Sequence, residues 1–196
     1  MPAAKKIKGN FLTSLGIGLM MAGAILFLLI FSPVITQEVT YTKHVAGPQT
    51  IIPRDANFGI VIPKINANAK IIPNVDPYNA KEYQLALTQG VAHAKGAVFP
   101  GRVGNSFLFA HSSVNFYEAS RYNSIFYLAH KLDKGDEIDV YVNKEKFVYT
   151  VTEKKFVSPT DVSYLTQKTD KKLLTLMTCW PPGTTFERLL IIATMQ

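Results

Sequence analysis

Thr175-Leu176-Met177-Thr178-Cys179-Trp180-Pro181-Pro182-Gly183-Thr184-Thr185-Phe186-Glu187-Arg188-Leu189 is the stretch from which the rest of the chain is read. An alternating apolar run from Lys172 to Thr178 stops at the only cysteine in 196 residues, against two prolines. Pro181 to Thr185 has the composition of a loop, and Arg188 opens a second apolar run, Leu189 to Met195, that reads as a returning strand. The two strands bring a thiol and a guanidinium, nine residues apart in sequence, to one rim of a sheet.

A lone thiol is a weak nucleophile at neutral pH, because an ordinary pKa of about 8.5 leaves only a few per cent as thiolate. It needs a proton acceptor or a neighbouring cation. His111 is the candidate acceptor: it ends the apolar run Ser106-Phe107-Leu108-Phe109-Ala110, so it too sits at a strand terminus. Arg188 is then a fixed cation and donor for the oxyanion formed when a carbonyl is attacked.

Thr175-Leu176-x-Thr178-Cys179, an arginine on the following strand, and a histidine in a Gly-Asn-x-x-x-x-Ala-His setting (Gly104 to His111) together resemble the sortase family of cell-surface cysteine transpeptidases. The similarity extends over Phe58 to Gln196, taking in Ile62-Pro63-x-Ile65 and Gly90-Val91-Ala92-His93. The resemblance implies a mainly β fold, an eight-stranded barrel with a few short helices. It also implies roles: Cys179 attacks the backbone carbonyl of a sorting motif of the Leu-Pro-x-Thr-Gly type, and His111 protonates the leaving amine and deprotonates the incoming one. Arg188 holds peptide backbone and oxyanion. Thr178 and Trp180 are weaker candidates for substrate contact, Trp180 as part of a groove wall with loop 181–186. The implied partners are sorting-motif peptides of secreted surface proteins and an amine acceptor, either a cell-wall precursor or a pilin lysine.

Composition narrows the alternatives. The formal charge of +7 includes Lys5, Lys6 and Lys8, which precede an apolar segment; the remainder carries 18 basic and 14 acidic side chains. No basic stripe with interleaved aromatics occurs, so nucleic acid is not an expected partner. One cysteine precludes an internal disulfide and a cysteine zinc cluster, and no metal or cofactor is expected. A papain-like hydrolase has its cysteine ahead of its histidine, the reverse of the order here. No serine has lysine three residues on, and there is no His-Glu-x-x-His or phosphate loop. The rival from another class is a membrane-anchored β-domain for adhesion or binding, with Cys179 buried and inert.

In chain order, residues 1–10 form a basic cytoplasmic tail. Phe11 to Phe31 are uncharged and closed by Pro33, long enough to span a bilayer as an uncleaved signal anchor. The lysines ahead of it put the N-terminus inside, making a single-pass protein with its domain outside. Residues 32–57 lack sustained periodicity and read as a stalk. Residues 58–196 form the catalytic domain. Its strands read as Gly59–Ile65, Ala69–Val75, Ser106–Ala110, Glu137–Val142, Lys146–Val157, Leu173–Thr178 and Leu189–Met195, with helices over Ala80–Gln89 and Asn115–Ala129. Many short strands with few helices indicate a closed or nearly closed barrel. Asp76-Pro77-Tyr78 reads as a turn. Of the other histidines, His44 lies in the stalk, His93 reads as structural and His130 as a surface residue at a helix end. No Asp or Asn stands out to orient His111, so the site reads as a dyad plus arginine.

Overall fold

A computed structural model describes residues 3–44, 51–112 and 124–195. The chain forms two compact units, one through Val39 and one from Thr40 onward.

The first unit holds most of helix α1, Ala3–His44, whose stretch Phe11–Ile30 has a mean hydropathy of 2.2 and is long and apolar enough to cross a membrane. The helix does not stop at Pro33, where the sequence reading ends it. Proline has no N–H to give the carbonyl four residues back, a loss that with ring clash costs about 3 kcal/mol in a helix interior. Here the Ser32 hydroxyl donates to that carbonyl, Leu29 O, at 3.0 Å, so the helix continues through the break. Residues 32–44 of the expected stalk are therefore helical, 45–50 lie outside the described residues, and 51–57 are tied to the barrel. Asn68 makes that tie: its Oδ1 accepts the Arg54 N–H and its Nδ2 donates to the Ile52 carbonyl, both at 2.7 Å.

The second unit is a closed eight-stranded barrel, as the resemblance implies. Its strands are β1 (Phe58–Ile62), β2 (Ala67–Val75), β3 (Val91–Ala94), β4 (Gly104–Phe109), β5 (Glu137–Val142), β6 (Glu145–Val157), β7 (Lys172–Trp180) and β8 (Glu187–Met195). They close in the order β1-β2-β3-β4-β7-β8-β6-β5. Two pairings are parallel, β2 with β3 and β4 with β7. Parallel neighbours require a crossover, supplied between β2 and β3 by helix α2, Ala80–Leu87. Asn79 caps α2 by accepting the Glu82 N–H. Asn143 and Lys144, both at positive φ, make the two-residue turn that joins β5 to β6.

Three sequence expectations need correcting. The first strand ends at Ile62, because Pro63 cannot donate to a ladder and opens a single 3-10 turn, Pro63–Ile65. Strand β3 escapes the strand reading: its four residues Val91-Ala92-His93-Ala94 are all buried, so they show no alternation. Of the helix expected over 115–129, residues 115–123 lie outside the described residues, and the remainder runs into a 3-10 turn over Tyr127–Lys131. The core fills the barrel with Ile60 and Ile62 of β1, Leu108 of β4, Ile138 and Val140 of β5, Leu174 and Leu176 of β7, and Leu189 and Ile191 of β8.

Candidate functional site

Strand β7 carries the cysteine and lies between β4 and β8. Successive side chains on a strand point to opposite faces. Leu174 and Leu176 belong to the barrel core, so Thr175, Met177 and Cys179 face outward. On the antiparallel side Cys179 is paired directly with Arg188, which places the two side chains about 5 Å apart at their Cβ atoms. On the parallel side Phe107 and Phe109 oppose Thr175 and Met177. The Ala110 N–H donates to Met177 O at 3.2 Å, and the next residue, His111, lines the same groove as Cys179.

His111, Cys179 and Arg188 all line one groove of about 520 Å³ on the outside of the barrel. Phe107, Phe109, Met177 and Leu190 make its floor. The β2–α2 segment lines it with Pro77, Tyr78, Tyr83 and Leu87, and the β6–β7 connection with Val162, Tyr164 and Leu165. Tyr83 meets Phe109 edge to face, with ring centroids 6.4 Å apart. Cys179 is half-buried and opens on this groove, which is not the arrangement of a thiol sealed in a core. Arg188 is steadied by its own loop, donating from Nη1 to Thr185 O at 3.3 Å and to Glu187 O at 3.1 Å.

The two weaker candidates have other employment. Thr178 is buried at the groove edge, and its Oγ1 donates to Ala110 O at 2.8 Å, fixing the peptide unit that leads into His111. Trp180 is not among the groove-lining residues. Its ring packs on His130 and Phe156, with centroids 5.1 and 5.3 Å away, because the residue after Cys179 projects to the other side of β7. The expectation that Trp180 walls the groove is corrected on that geometry; of its loop, Gly183, Thr184 and Thr185 do line it.

His93 is nearly fully buried, donates from Nε2 to Val98 O at 3.1 Å, and stacks against Phe99 with centroids 4.8 Å apart. Burial holds its pKa below the ordinary histidine value despite that hydrogen bond. His130 is the last residue but one of the 3-10 turn, donating from Nδ1 to Tyr127 O at 3.0 Å. Asp76-Pro77-Tyr78 is a turn, with the Asp76 carboxylate accepting the Tyr78 N–H at 2.9 Å. Sequence reasoning misses the contribution of this turn to the groove wall, and misses Tyr83, Phe107, Phe109 and the connection 157–172 as well. The alternation of aromatics at 107 and 109 is the available signal. Among the described residues no group of three or more His, Cys, Asp or Glu is placed to hold a metal.

A thiol, an imidazole and a guanidinium line one groove together with several aromatic side chains, and these are group types that acyl transfer can use. Residues 60–196 match the sortase domain. The chain is 29% identical over 120 residues to Sortase D of Bacillus subtilis (strain 168), covering 61% of this chain and 52% of that protein, so it spans about half the length of that relative. Among solved structures it resembles sortase C1 from Streptococcus agalactiae, at 27% identity and a TM-score of 0.59 over 76% of this chain and 72% of that one. It resembles a Sortase D5 transpeptidase of Clostridium perfringens at 25% identity and a TM-score of 0.57, covering 81% and 88% of the two chains. The domain match takes in nearly the whole barrel together with positions 111, 179 and 188, and on it the chain belongs to the sortase family.

Proposed function

We propose that this protein is a membrane-anchored cysteine transpeptidase that cleaves a sorting motif of the Leu-Pro-x-Thr-Gly type in secreted surface proteins and transfers the acyl fragment to an amine. The observation that carries the proposal is the shared groove: Cys179, His111 and Arg188 line one groove of about 520 Å³. The Cys179 thiolate attacks the scissile carbonyl, and Arg188, whose Nε and Nη2 make no hydrogen bond among the described residues, stabilises the oxyanion. As the C–N bond breaks and the thioester remains, His111 gives its proton to the leaving amine. An incoming amine, from a cell-wall precursor or a pilin lysine, then loses a proton to His111 as it forms the new amide and releases the thiolate. The aromatic walls favour aminolysis over hydrolysis by limiting water around the thioester. The lysines ahead of Phe11 place the N-terminus in the cytoplasm and the barrel outside.

The test incubates the full chain in detergent with a Leu-Pro-x-Thr-Gly peptide and a small amine, following the Cys179 acyl adduct and the amide product by mass spectrometry. Cys179→Ala gives neither species, and Arg188→Ala lowers turnover about a hundred- to a thousandfold. A folded protein that acylates with no peptide of a sorting-motif library refutes the proposal.

A further inference from the structure

Asn105, the second residue of β4, is a buried amide that takes no part in the chemistry above. Its Oδ1 accepts the hydroxyl of Thr175 at 2.9 Å, and its Nδ2 donates to the backbone carbonyl of Tyr164 at 3.0 Å. The direction of this relay is fixed, because a carbonyl only accepts; the NH2 must face Tyr164 and the threonine must donate. Thr175 is itself fully buried, so the three groups form a closed polar chain from the floor strand β7, through β4, to the 3-10 turn Ser163–Thr166. That turn belongs to the connection carrying Val162, Tyr164 and Leu165, one wall of the groove.

The remaining hydrogen bonds of that wall are local. Ser158 with Thr160, Asp161 with Ser158 and Ser163, Leu165 with Val162, Thr166 with Ser163, and Thr169 with Lys171 all stay inside the connection. Among the described residues, the Asn105–Tyr164 bond is the only one joining residues 158–170 to another element. Tyr164 and Leu165 also pack on the core, and the Gly104 N–H donates to Lys171 O at 2.8 Å where the connection enters β7, so the Asn105–Tyr164 bond is the polar tie at the middle of the wall, where it bears on the width of the groove.

We propose that Asn105 is a positioning residue for substrate selection: through Thr175 on one side and Tyr164 on the other, it holds the β6–β7 wall at the spacing that grips the peptide, without touching the reacting atoms. This rests on the transpeptidase reading, and it assigns Asn105 an effect on peptide affinity rather than on the reactivity of Cys179.

Three variants of the full chain in detergent separate the roles. Asn105→Asp keeps an acceptor for Thr175 but loses the donor to Tyr164 O; Thr175→Val removes the hydroxyl at nearly constant shape; Thr175→Ser keeps it. Asn105→Asp raises KM for a sorting-motif peptide about five- to tenfold, the equilibrium worth of one hydrogen bond, with kcat within about twofold of the parent. Alkylation of Cys179 by iodoacetamide is unchanged, and amide exchange in 158–170 accelerates. Thr175→Ser behaves as the parent, and Thr175→Val moves KM in the direction of Asn105→Asp. If Asn105→Asp does not fold, the Thr175 pair decides, and equal KM values for Val and Ser overturn the proposal. A KM unchanged in Asn105→Asp, or a loss confined to kcat with slowed alkylation, also overturns it. Absence of turnover in the folded parent instead removes the transpeptidase reading on which it stands.

Discussion

Thr178→Val isolates the bond that sets the end of β4. Valine has nearly the shape of threonine and a similar preference for strands, so it leaves no cavity and does not disturb β7. It removes only the donor that satisfies Ala110 O at 2.8 Å, in a position where Thr178 is 3% exposed. A buried carbonyl deprived of its partner costs about 1–3 kcal/mol. The Ala110 N–H keeps its own bond to Met177 O, so the strand is not released altogether, but Ala110, the residue preceding His111, loses one of its two anchors. An imidazole displaced by about 1 Å from its partner slows an oriented reaction by up to about a hundredfold. Urea unfolding of the full chain in detergent, read from the single tryptophan at 180, gives the stability; peptide turnover gives the rate. Thr178→Ser keeps the hydroxyl, loses one methyl worth about 1 kcal/mol, and retains turnover within a few-fold. If valine matches the parent in both measurements, or serine fails as valine does, the bond does not position His111 and the reasoning is wrong.

Other perturbations read other parts of the molecule. His93 has a folded-state pKa below its unfolded value of about 6.5, so the folded state resists protonation. Its contribution to stability is complete above that pH and is lost as pH falls through the folded pKa; in His93→Gln this part of the pH dependence disappears from the unfolding midpoint. Lys146 Nζ stands 2.7 Å from the carboxylate of Asp139, a side chain almost wholly buried on β5. Lys146→Ala costs about 1–3 kcal/mol, and pairing it with Asp139→Asn recovers most of that loss; additive losses in the double-mutant cycle would refute the coupling. Trp180→Leu loses the stack on His130 and Phe156 and costs about 1–3 kcal/mol, while KM for the peptide stays at the parent value because the ring is outside the groove.

Legibility in the sequence tracks the physical source of each feature. Residues 137–142 and 146–157 are readable as strands because polar side chains alternate with apolar ones that face the core. Val91-Ala92-His93-Ala94 is not, since both faces are covered and nothing marks a period. Pro33 looks like a helix end because a proline removes a donor, yet a hydroxyl one residue earlier restores the satisfaction of the carbonyl it abandons. The thiol, imidazole and guanidinium stand out by type and placement, and all three line one groove. The walls do not stand out: Pro77, Tyr78, Val162 and Tyr164 come from a turn and a long connection, and their approach to β7 is set by long-range contacts that leave no local pattern.

The site also depends on register more than on any single residue. Thr178 and Cys179 are neighbours on β7, one turned toward the barrel and one toward the groove, so a slip of one residue against β4 would bury the thiol and expose the threonine. Parallel pairing is slightly weaker per residue than antiparallel, and β4–β7 is parallel. The strand answers this with two threonine hydroxyls on opposite faces, Thr175 bonded to Asn105 and Thr178 to Ala110, both partners on the β4 side. A one-residue slip breaks both bonds at once. The alignment that turns Cys179 to the groove is thus enforced by the threonines that precede it in the sequence, three residues apart, and the same two residues that mark the motif hold the strand in place.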